Sequence, residues 1–556
     1  MILEKLSFDQ RMQTQNLVHM LQNRESGFTR NKFSQTPQLS HERQFYKAIT
    51  PCLTVGISIP PVYLRKFTPD GSKLLAFSHD QRSFIVYLYK GLGTSGVSQL
   101  LSEAGVGSAE TYIDRIDGNH LRSTIFEQLF KPKYVLRLCQ GDSARFYLHR
   151  EFSVFLEDSR YVLLAGMCIL QGCNLAVSDY ERYPDVFDKV DPFSYIFYVV
   201  DLHQGIVTDE VRLPQDAISL SHNHGISVHG HTIAILSRLR QSIYIYELVN
   251  GRLIKQEHEI GPRPLHCAFQ DVSSMFMVML DVNTLLPITH IKQRVLSFLY
   301  RQIQPDSPQA SQKYQEFYKN FDFIENMIIE KMQLIDSDFL LLRYEERPKD
   351  TDVTPILVTG EPQPPRRLYV FYGMSSEDVL GVYHDDSVDL LQIVVQFYDK
   401  LCNVRSLQTG DAPSSPSSHY FMQQNCINPN KSAPFMRQAA LRYNPSVPVS
   451  TQSFSTSPYL NYNVFSYDDK LISPLERPKA CSVEPIVFRD RATNLIKFRF
   501  NTKAHRPPSQ FTPRELCAFI CHPFEPLVLS IQKCMHVYSY KLHIYNHGTV
   551  VEQFFN

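Results

Sequence analysis

Two adjacent carboxylates, Asp468 and Asp469, lie in the stretch SPYLNYNVFSYDDKLISPLERPK, with Glu476 and Arg477 a few residues further on. Paired carboxylates can serve as a general acid and base, or they can hold a metal ion. The flanking residues, VFSY and LIS, have the composition of short strands, and aspartate is common in turns because it accepts backbone hydrogen bonds. No histidine or second acidic cluster is placed beside this pair by the sequence. We therefore expect a turn between two strands and no catalytic residue.

Three glycines match the dinucleotide-binding pattern G-x-G-x-x-G at Gly91, Gly93 and Gly96, with Asp114 about twenty residues further on. That fingerprint requires a strand, a helix and a parallel strand. Here the preceding segment has the pattern of an antiparallel meander. We expect a loop between consecutive β-sheets and no bound cofactor.

Four histidines are close together in SHNHGISVHGH, at His222, His224, His229 and His231. Residues two apart on a hairpin share a face, so a zinc site is geometrically conceivable. Zinc-binding histidines are usually oriented by a second layer of partners, and none can be recognised in the sequence. We expect turn and blade-edge histidines and no metal site.

The composition argues against several classes of protein. Lysine plus arginine equals aspartate plus glutamate, 56 each in 556 residues, so no overall field attracts nucleic acid or anionic lipid. Eleven cysteines without paired spacing indicate a reducing compartment, and Cys517, Cys521 and Cys534 are expected in the core. The start MILEKLSFDQRM has no secretory signal, and no phosphate loop, nucleophile elbow or His-Glu-x-x-His motif occurs, which lowers the expectation of an enzyme.

Short strands separated by turn residues recur along the chain. In YLRKFTPDGSKLLAFSHDQRSFIVYLY, strand-like runs flank the turn signal Pro69-Asp70-Gly71, and further turns are predicted at Gln204-Gly205 and Asn250-Gly251. This pattern suggests a sandwich, a barrel or a propeller. The first segment resembles the inner strands of a WD-type blade, although the Trp-Asp dipeptide is missing. We predict a mostly β, WD-like β-propeller of about seven blades (six to eight) with degenerate repeats.

The predicted organisation is an N-terminal arm, residues 1–45, followed by the propeller, residues 46–556. The arm contains one helical candidate, at about 10–26. Helical insertions are predicted at about 288–332 and 384–403, the second with Asp386 or Ser387 as its cap. A Ser/Pro/Asn/Gln-rich stretch at about 405–450 is predicted to be a mobile loop.

The chain as a whole resembles the De-etiolated family, the light-signalling repressor of plants and its animal counterparts. The segments that carry this resemblance, in family order, are YLRKFTPDGSKLLAFSHDQ, VVDLHQGIV, LSHNHG, EKMQLIDSDFLLLRY, LYVFYGMSSEDVLGVY, SPYLNYNVFSYDDKLISPLERPKAC and CAFICHPFEP. The resemblance implies a non-enzymatic substrate receptor of cullin-4 RING ubiquitin ligases. The implied partners are the damaged-DNA-binding protein 1 adaptor, a small accessory subunit, a ubiquitin-conjugating enzyme, the constitutive-photomorphogenic ubiquitin ligase and transcription-factor substrates. The implied location is the nucleus, with the cytoplasm as a second compartment.

The resemblance also implies a role for the N-terminal helix. In other receptors of this ligase class a helical element inserts between the propellers of the adaptor, and here Asn16, Leu17, Val18, Leu21 and Arg24 occupy the matching place. The alternative is that this helix packs on its own propeller. A second possible function is that of a chromatin- or histone-associated transcriptional regulator, although the zero net charge disfavours direct DNA binding.

Overall fold

The fold is known from a computed structural model. It describes residues 52–91, 97, 119–140, 143, 145–157, 159–169, 193–256, 259–261, 291–303, 310–325, 327–346, 366–397, 401, 433–452, 457, 460, 465–468, 471–473, 475–482, 484–490, 494–500, 517–525, 527–534 and 537–545. The predicted N-terminal arm and its helix lie outside these residues.

Antiparallel strands form six sheets in the part of the chain that the structure describes. Blade 1 contains β2 (Val62–Phe67), β3 (Lys73–Ser78), β4 (Ser83–Tyr89) and β5 (Phe130–Arg137). Blade 2 contains β6 (Tyr147–Leu148), β7 (Val154–Leu156), β8 (Tyr161–Ile169), β9 (Phe193–Asp201) and β10 (Ile206–Asp216). Blade 3 contains β11 (Ile226–His229), β12 (Thr232–Ser237), β13 (Ser242–Val249) and β14 (Arg252–Lys255).

The remaining strands form a fourth blade, a smaller sheet and a closing blade. Blade 4 contains β15 (Met327–Leu334), β16 (Phe339–Glu346), β17 (Arg367–Gly373) and β18 (Asp378–His384). The smaller sheet contains β19 (Phe465–Ser466), β20 (Ile486–Asp490) and β21 (Ile496–Phe500). The closing blade contains β22 (Ala518–Cys521), β23 (Leu527–Cys534), β24 (Val537–Tyr545) and β1 (Cys52–Ile57).

The closing blade joins the two ends of the described chain. Strand β1 is its outermost strand and pairs antiparallel with β24, from Cys52 opposite Tyr545 to Ile57 opposite Tyr540. Its first C-terminal strand, β22, lies against β2 of blade 1, just as β11 of blade 3 lies against β15 of blade 4. The first strands of neighbouring sheets therefore meet, as they do around the axis of a propeller.

The core lies between consecutive blades. Alternate residues of a strand point to opposite faces of its sheet. In β3, Leu74 packs toward the closing blade and Leu75 toward blade 2. In β12, Ile233 packs toward blade 2 and Ala234 toward blade 4. Shared cores join the closing blade to blade 1 and blades 1 to 4 in order, and the smaller sheet to the closing blade, so the predicted mostly β propeller class is confirmed.

The predicted tight turns between strands are present. Gly71, Gly205 and Gly251 all have positive φ. At Gly71 a side chain is also excluded by packing, since a Cβ there would lie 2.6 Å from the ring of His522 in the closing blade. The seam between the closing blade and blade 1 therefore depends on a glycine at this turn.

Five α-helices occur in the described chain. They are α1 (Asn119–Leu129), α2 (Ile291–Arg301), α3 (Ala310–Glu325), α4 (Val388–Gln396) and α5 (Ala433–Tyr443). Ser387 is the N-cap of α4, because its side chain accepts a hydrogen bond from the Leu390 amide at 3.3 Å. Among the described residues, no helix is both long and apolar enough to cross a bilayer.

Two predicted boundaries need correction. The helical insertion at about 288–332 ends earlier, because residues 327–332 belong to strand β15, whose apolar residues pack between blades 3 and 4. The stretch at about 405–450 is not wholly a mobile loop. Helix α5 buries Ala440 and Tyr443 against α4 and blade 4, while residues 405–432 lie outside the described chain.

Candidate functional site

A segment at residues 447–452, called here the central segment, runs along the first strands of several blades. The backbone N–H of Val449 donates to Oε1 of Gln333 in β15 at 2.8 Å. The hydroxyl of Thr451 accepts from the backbone N–H of Val228 in β11 at 2.9 Å. The segment thus satisfies polar groups in blades 4 and 3 together.

Gln452 extends the central segment to blades 2 and 1. Its side-chain amide pairs with the backbone of Phe155 as a strand residue would, accepting from the N–H and donating to the carbonyl, each at 2.8 Å. The ammonium of Lys66 in β2 lies 3.5 Å from the same amide oxygen. One short segment therefore links four blades.

A buried ion triad lies beside the central segment. Arg65 and Lys66 of β2 both contact the carboxylate of Glu476, with Arg65 Nη2 at 2.5 Å from Oε2. The Lys66 ammonium also donates to the carbonyl of Ser153 at 2.8 Å and lies 4.4 Å from the ring centroid of Phe155. The triad joins blade 1 to blade 2 and to the segment that follows β19.

Burial and charge act in opposite directions on this triad. Burial lowers the pKa of Lys66 to about 8, although the Glu476 carboxylate opposes the shift. Burial raises the pKa of Glu476, but Arg65 and Lys66 together outweigh burial and hold it below its ordinary value. The carboxylate is therefore ionised at neutral pH. Removing one member would leave the others buried without their partner.

Sequence reasoning gave Glu476 no role and concentrated on the neighbouring aspartates. The carbonyl of Asp468 accepts from the Leu471 amide at 3.3 Å, which agrees with the predicted turn, and Asp469 lies outside the described residues. The sequence signal for Glu476 is slight: it is one of several charged residues in this stretch and lies between Pro474 and Pro478.

The clustered histidines do not converge on one site, because His224 and His231 contact different residues. His224 Nδ1 lies 2.5 Å from the hydroxyl of Ser450 in the central segment, and His231 is an exposed residue 3.5 Å from Glu157. Burial lowers the pKa of His224 to about 4, so its ring is neutral at pH 7. Within the described ranges, no group of three or more His, Cys, Asp or Glu side chains is arranged to hold a metal ion.

The other candidate residues fall in three places. Cys517 and Cys521 are buried in the core between the smaller sheet and the closing blade, as predicted. The strand before Gly91 belongs to the antiparallel blade 1, so the glycine pattern does not follow a parallel strand. Outside the described chain lie the five predicted docking residues, Asn16, Leu17, Val18, Leu21 and Arg24.

Comparison with known proteins decides the family. The family profile described as De-etiolated protein 1 Det1 matches residues 150–546, well over half of the chain. The chain belongs to the De-etiolated family. The ion triad, except for its two blade 1 residues, and the whole central segment lie inside the matched region.

Two relatives in the De-etiolated family match over nearly the full chain. "Light-mediated development protein DET1" of Arabidopsis thaliana is 25% identical over 533 residues, covering 89% of this chain and 93% of the relative. The tomato (Solanum lycopersicum) protein of the same name is 24% identical over 526 residues, covering 90% and 94%. Each match covers more than nine tenths of the relative's own length.

Among solved structures, the Cps50 (Swd1) β-propeller domain of Myceliophteria thermophila is similar over 88% of this chain and 99% of that domain. It is 9% identical and has a TM-score of 0.30. The propeller assignment of this De-etiolated protein therefore depends on its own sheet order, its end-to-end closure and its cores between blades.

Proposed function

We propose that this protein is a non-enzymatic substrate-receptor and scaffold subunit of a nuclear cullin-4 RING ubiquitin ligase. In this role it docks on the damaged-DNA-binding protein 1 adaptor and brings a ubiquitin-conjugating enzyme, and a partner ligase of the constitutive-photomorphogenic type, to transcription-factor substrates. The observation that carries the proposal is the family match over residues 150–546.

The architecture supports a holding role. Blades buried on both faces and tied by the central segment make a frame that changes little when molecules bind to its faces. Such a frame increases ubiquitin transfer by raising the effective concentration of a substrate lysine near the charged conjugating enzyme. It needs no catalytic residue of its own for this.

We place the adaptor contact on the N-terminal arm, at Asn16, Leu17, Val18, Leu21 and Arg24. Strand β1 is the outermost strand of the closing blade, so Cys52, at which the described chain begins, lies on the outer edge of that blade. A segment that starts at the rim can reach a groove on a second protein without disturbing the blades. An amphipathic helix docked in an apolar groove would use Leu17, Val18 and Leu21 as its anchors.

Co-purification with the adaptor tests this proposal. The double variant Leu17→Asp with Leu21→Asp should reduce adaptor recovery at least about tenfold, because each aspartate would bring an unpaired charge into an apolar groove. Recovery by the wild type should change little with salt. The matched control is Leu441→Asp with Leu495→Asp, which changes two exposed leucines elsewhere and should bind normally.

Two results would contradict the docking proposal. One is equal adaptor recovery by both double variants, which would leave the helix without a role in docking. The other is steeply salt-dependent retention on DNA that is indifferent to the substitutions, which would favour the alternative of a chromatin-associated regulator.

A further inference from the structure

A group of basic side chains lies beside the ion triad, where blades 1 and 2 meet the segment after β19. Arg65 fixes this meeting point. Its Nη2 lies 2.8 Å from the backbone carbonyl of Glu151 and 2.5 Å from Glu476 Oε2. Residues 149–151 and 476–479 are therefore held next to each other around one buried guanidinium.

Three further cations belong to these two stretches: Arg150, Arg477 and Lys479. Together with Arg65 we call them the basic cluster. Arg150 and Lys479 are exposed, whereas Arg477 is half-buried and its Nε is shielded from solvent. The cluster thus extends from solvent into the protein.

The nearby carboxylates do not balance these charges. Glu476 is already bound by Arg65 and Lys66. That leaves Glu151 facing Arg150, Arg477 and Lys479. The two histidines that face it, His149 and His222, have their pKa lowered by burial and add no lasting positive charge at pH 7. Among the described groups, five cations (Arg65, Lys66, Arg150, Arg477 and Lys479) meet two carboxylates, a surplus of three positive charges (5 − 2).

Arg477 feels the charge of Glu151 without pairing directly with it. Among the described carboxylates none forms an ion pair with it, and its Nε has no hydrogen-bond partner although that atom is shielded from solvent. Burial lowers its pKa to about 10, and the neighbouring Arg65 adds to the shift. A half-buried charge without an ion pair is less favourable than a paired one, so the arrangement favours an anion supplied from outside.

An aromatic surface accompanies the cations. The Arg150 guanidinium lies 4.9 Å from the ring centroid of Tyr63, and Tyr63 stacks on His79 with centroids 5.5 Å apart. Rings next to cations suit a ligand that has a chain as well as charges, because the rings give contact area that a bare inorganic anion cannot use. Cations at different depths likewise suit several separated carboxylates.

We propose that the basic cluster binds an acidic segment of a partner protein, with one carboxylate paired to Arg477 and others to Arg150 and Lys479. This inference is independent of the ligase proposal, because the unsatisfied Nε of Arg477 and the surplus positive charge are properties of the propeller itself. We expect added salt to weaken the contacts to the exposed Arg150 and Lys479 more than the contact to the half-buried Arg477.

Fluorescence anisotropy with the full chain tests the assignment. The probe is a fluorescein-labelled peptide that carries a run of aspartates, and the reference is the same peptide with asparagines. The aspartate peptide should bind at least about tenfold more tightly. Arg477→Gln should weaken its binding about tenfold or more, because it removes the desolvated contact, and Arg150→Gln should weaken it less. The control Arg252→Gln, an exposed arginine on the edge strand β14, should change nothing.

Thermal unfolding without ligand separates a binding role from a structural one. If Arg477 awaits a ligand, Arg477→Gln should leave the Tm unchanged or raise it, since it removes a half-buried charge that has no ion pair. A lowered Tm with unchanged peptide binding would overturn the proposal. Equal binding of the aspartate and asparagine peptides would also overturn it. Inorganic pyrophosphate that competes as strongly as the peptide would replace the peptide with a small anion as the ligand.

Discussion

Glu476 shows how one residue can hold a fold together without being recognisable in the sequence. It is 411 residues from Arg65 along the chain, yet it neutralises two buried cations in blade 1. Attraction between opposite charges is strong in such surroundings, and the penalty for leaving one unpaired is correspondingly large.

Glu476→Gln should therefore lower the free energy of unfolding by about 3–5 kcal/mol, because Arg65 and Lys66 stay buried without their carboxylate. Urea unfolding measures the change. The control Glu127→Gln removes an exposed carboxylate on α1 and should stay within about 0.5 kcal/mol of wild type. A small effect for Glu476→Gln would mean that water or neighbouring groups compensate the cations.

His543 gives the protein a built-in acid sensitivity. It is buried, its Nε2 lies 2.7 Å from the Ser530 hydroxyl, and burial lowers its pKa to about 3. The unfolded chain, with an ordinary histidine, binds a proton as the pH falls below about 6.5, and the folded chain does not. Stability from this group is therefore complete above that pH and is lost progressively as the pH falls toward the folded pKa.

Between about pH 7 and pH 5 this single group should remove ~2 kcal/mol of stability. Urea unfolding at both pH values should show a smaller loss for His543→Gln than for the wild type, whatever the variant's stability at neutral pH. His231→Gln, which changes a largely exposed histidine, should keep the full loss. An identical pH dependence for His543→Gln and wild type would contradict the buried neutral state.

At the scale of elements, the central segment replaces a neighbouring strand: the side-chain amide of Gln452 makes the two hydrogen bonds that a strand backbone would make to Phe155. Gln452→Ala removes both hydrogen bonds to the Phe155 backbone and leaves that N–H and carbonyl unsatisfied in a buried position. The free energy of unfolding should fall by about 2–3 kcal/mol. Gln256→Ala, at an exposed position after β14, is the control and should have little effect in the same measurement. If both variants unfold alike, the segment does not tie blade 2.

Elements were predictable from sequence where local pattern decides them. The hairpins around Gly71, Gly205 and Gly251 were found because turn residues and apolar alternation agree there. The apolar spacing of the residues MIIEKM fits both a helix and a strand, so local pattern alone favours extending the helix, whereas burial between two blades makes this segment a strand. Helix α5 was missed because the stretch around it is rich in serine, proline and asparagine, and its stability comes from packing on α4.

The candidate site was less predictable than the fold, for a physical reason. The contacts between Arg65 and Glu476 and between Gln452 and Phe155 join residues that are 411 and 297 positions apart. No local period or spacing encodes such pairs in a single sequence. The charged residues of the site were visible, but only closure of the propeller determines which of them meet.

At the scale of the whole molecule, closure by β1 separates two functions of the N-terminal region. Deleting residues 1–45 removes the proposed docking helix but leaves β1 and the buried Ile57 in the closing blade. This deletion should abolish adaptor binding while leaving the Tm within about 2 °C of wild type.

Deleting residues 1–57 also exposes the edge of β24 and part of the core beside blade 1. It should lower the Tm by roughly 10 °C and promote association through the open edge, seen by size-exclusion chromatography. Equal thermal stability of the two deletions would show that the ring of blades holds without its N-terminal strand, and the closing contact would then be dispensable.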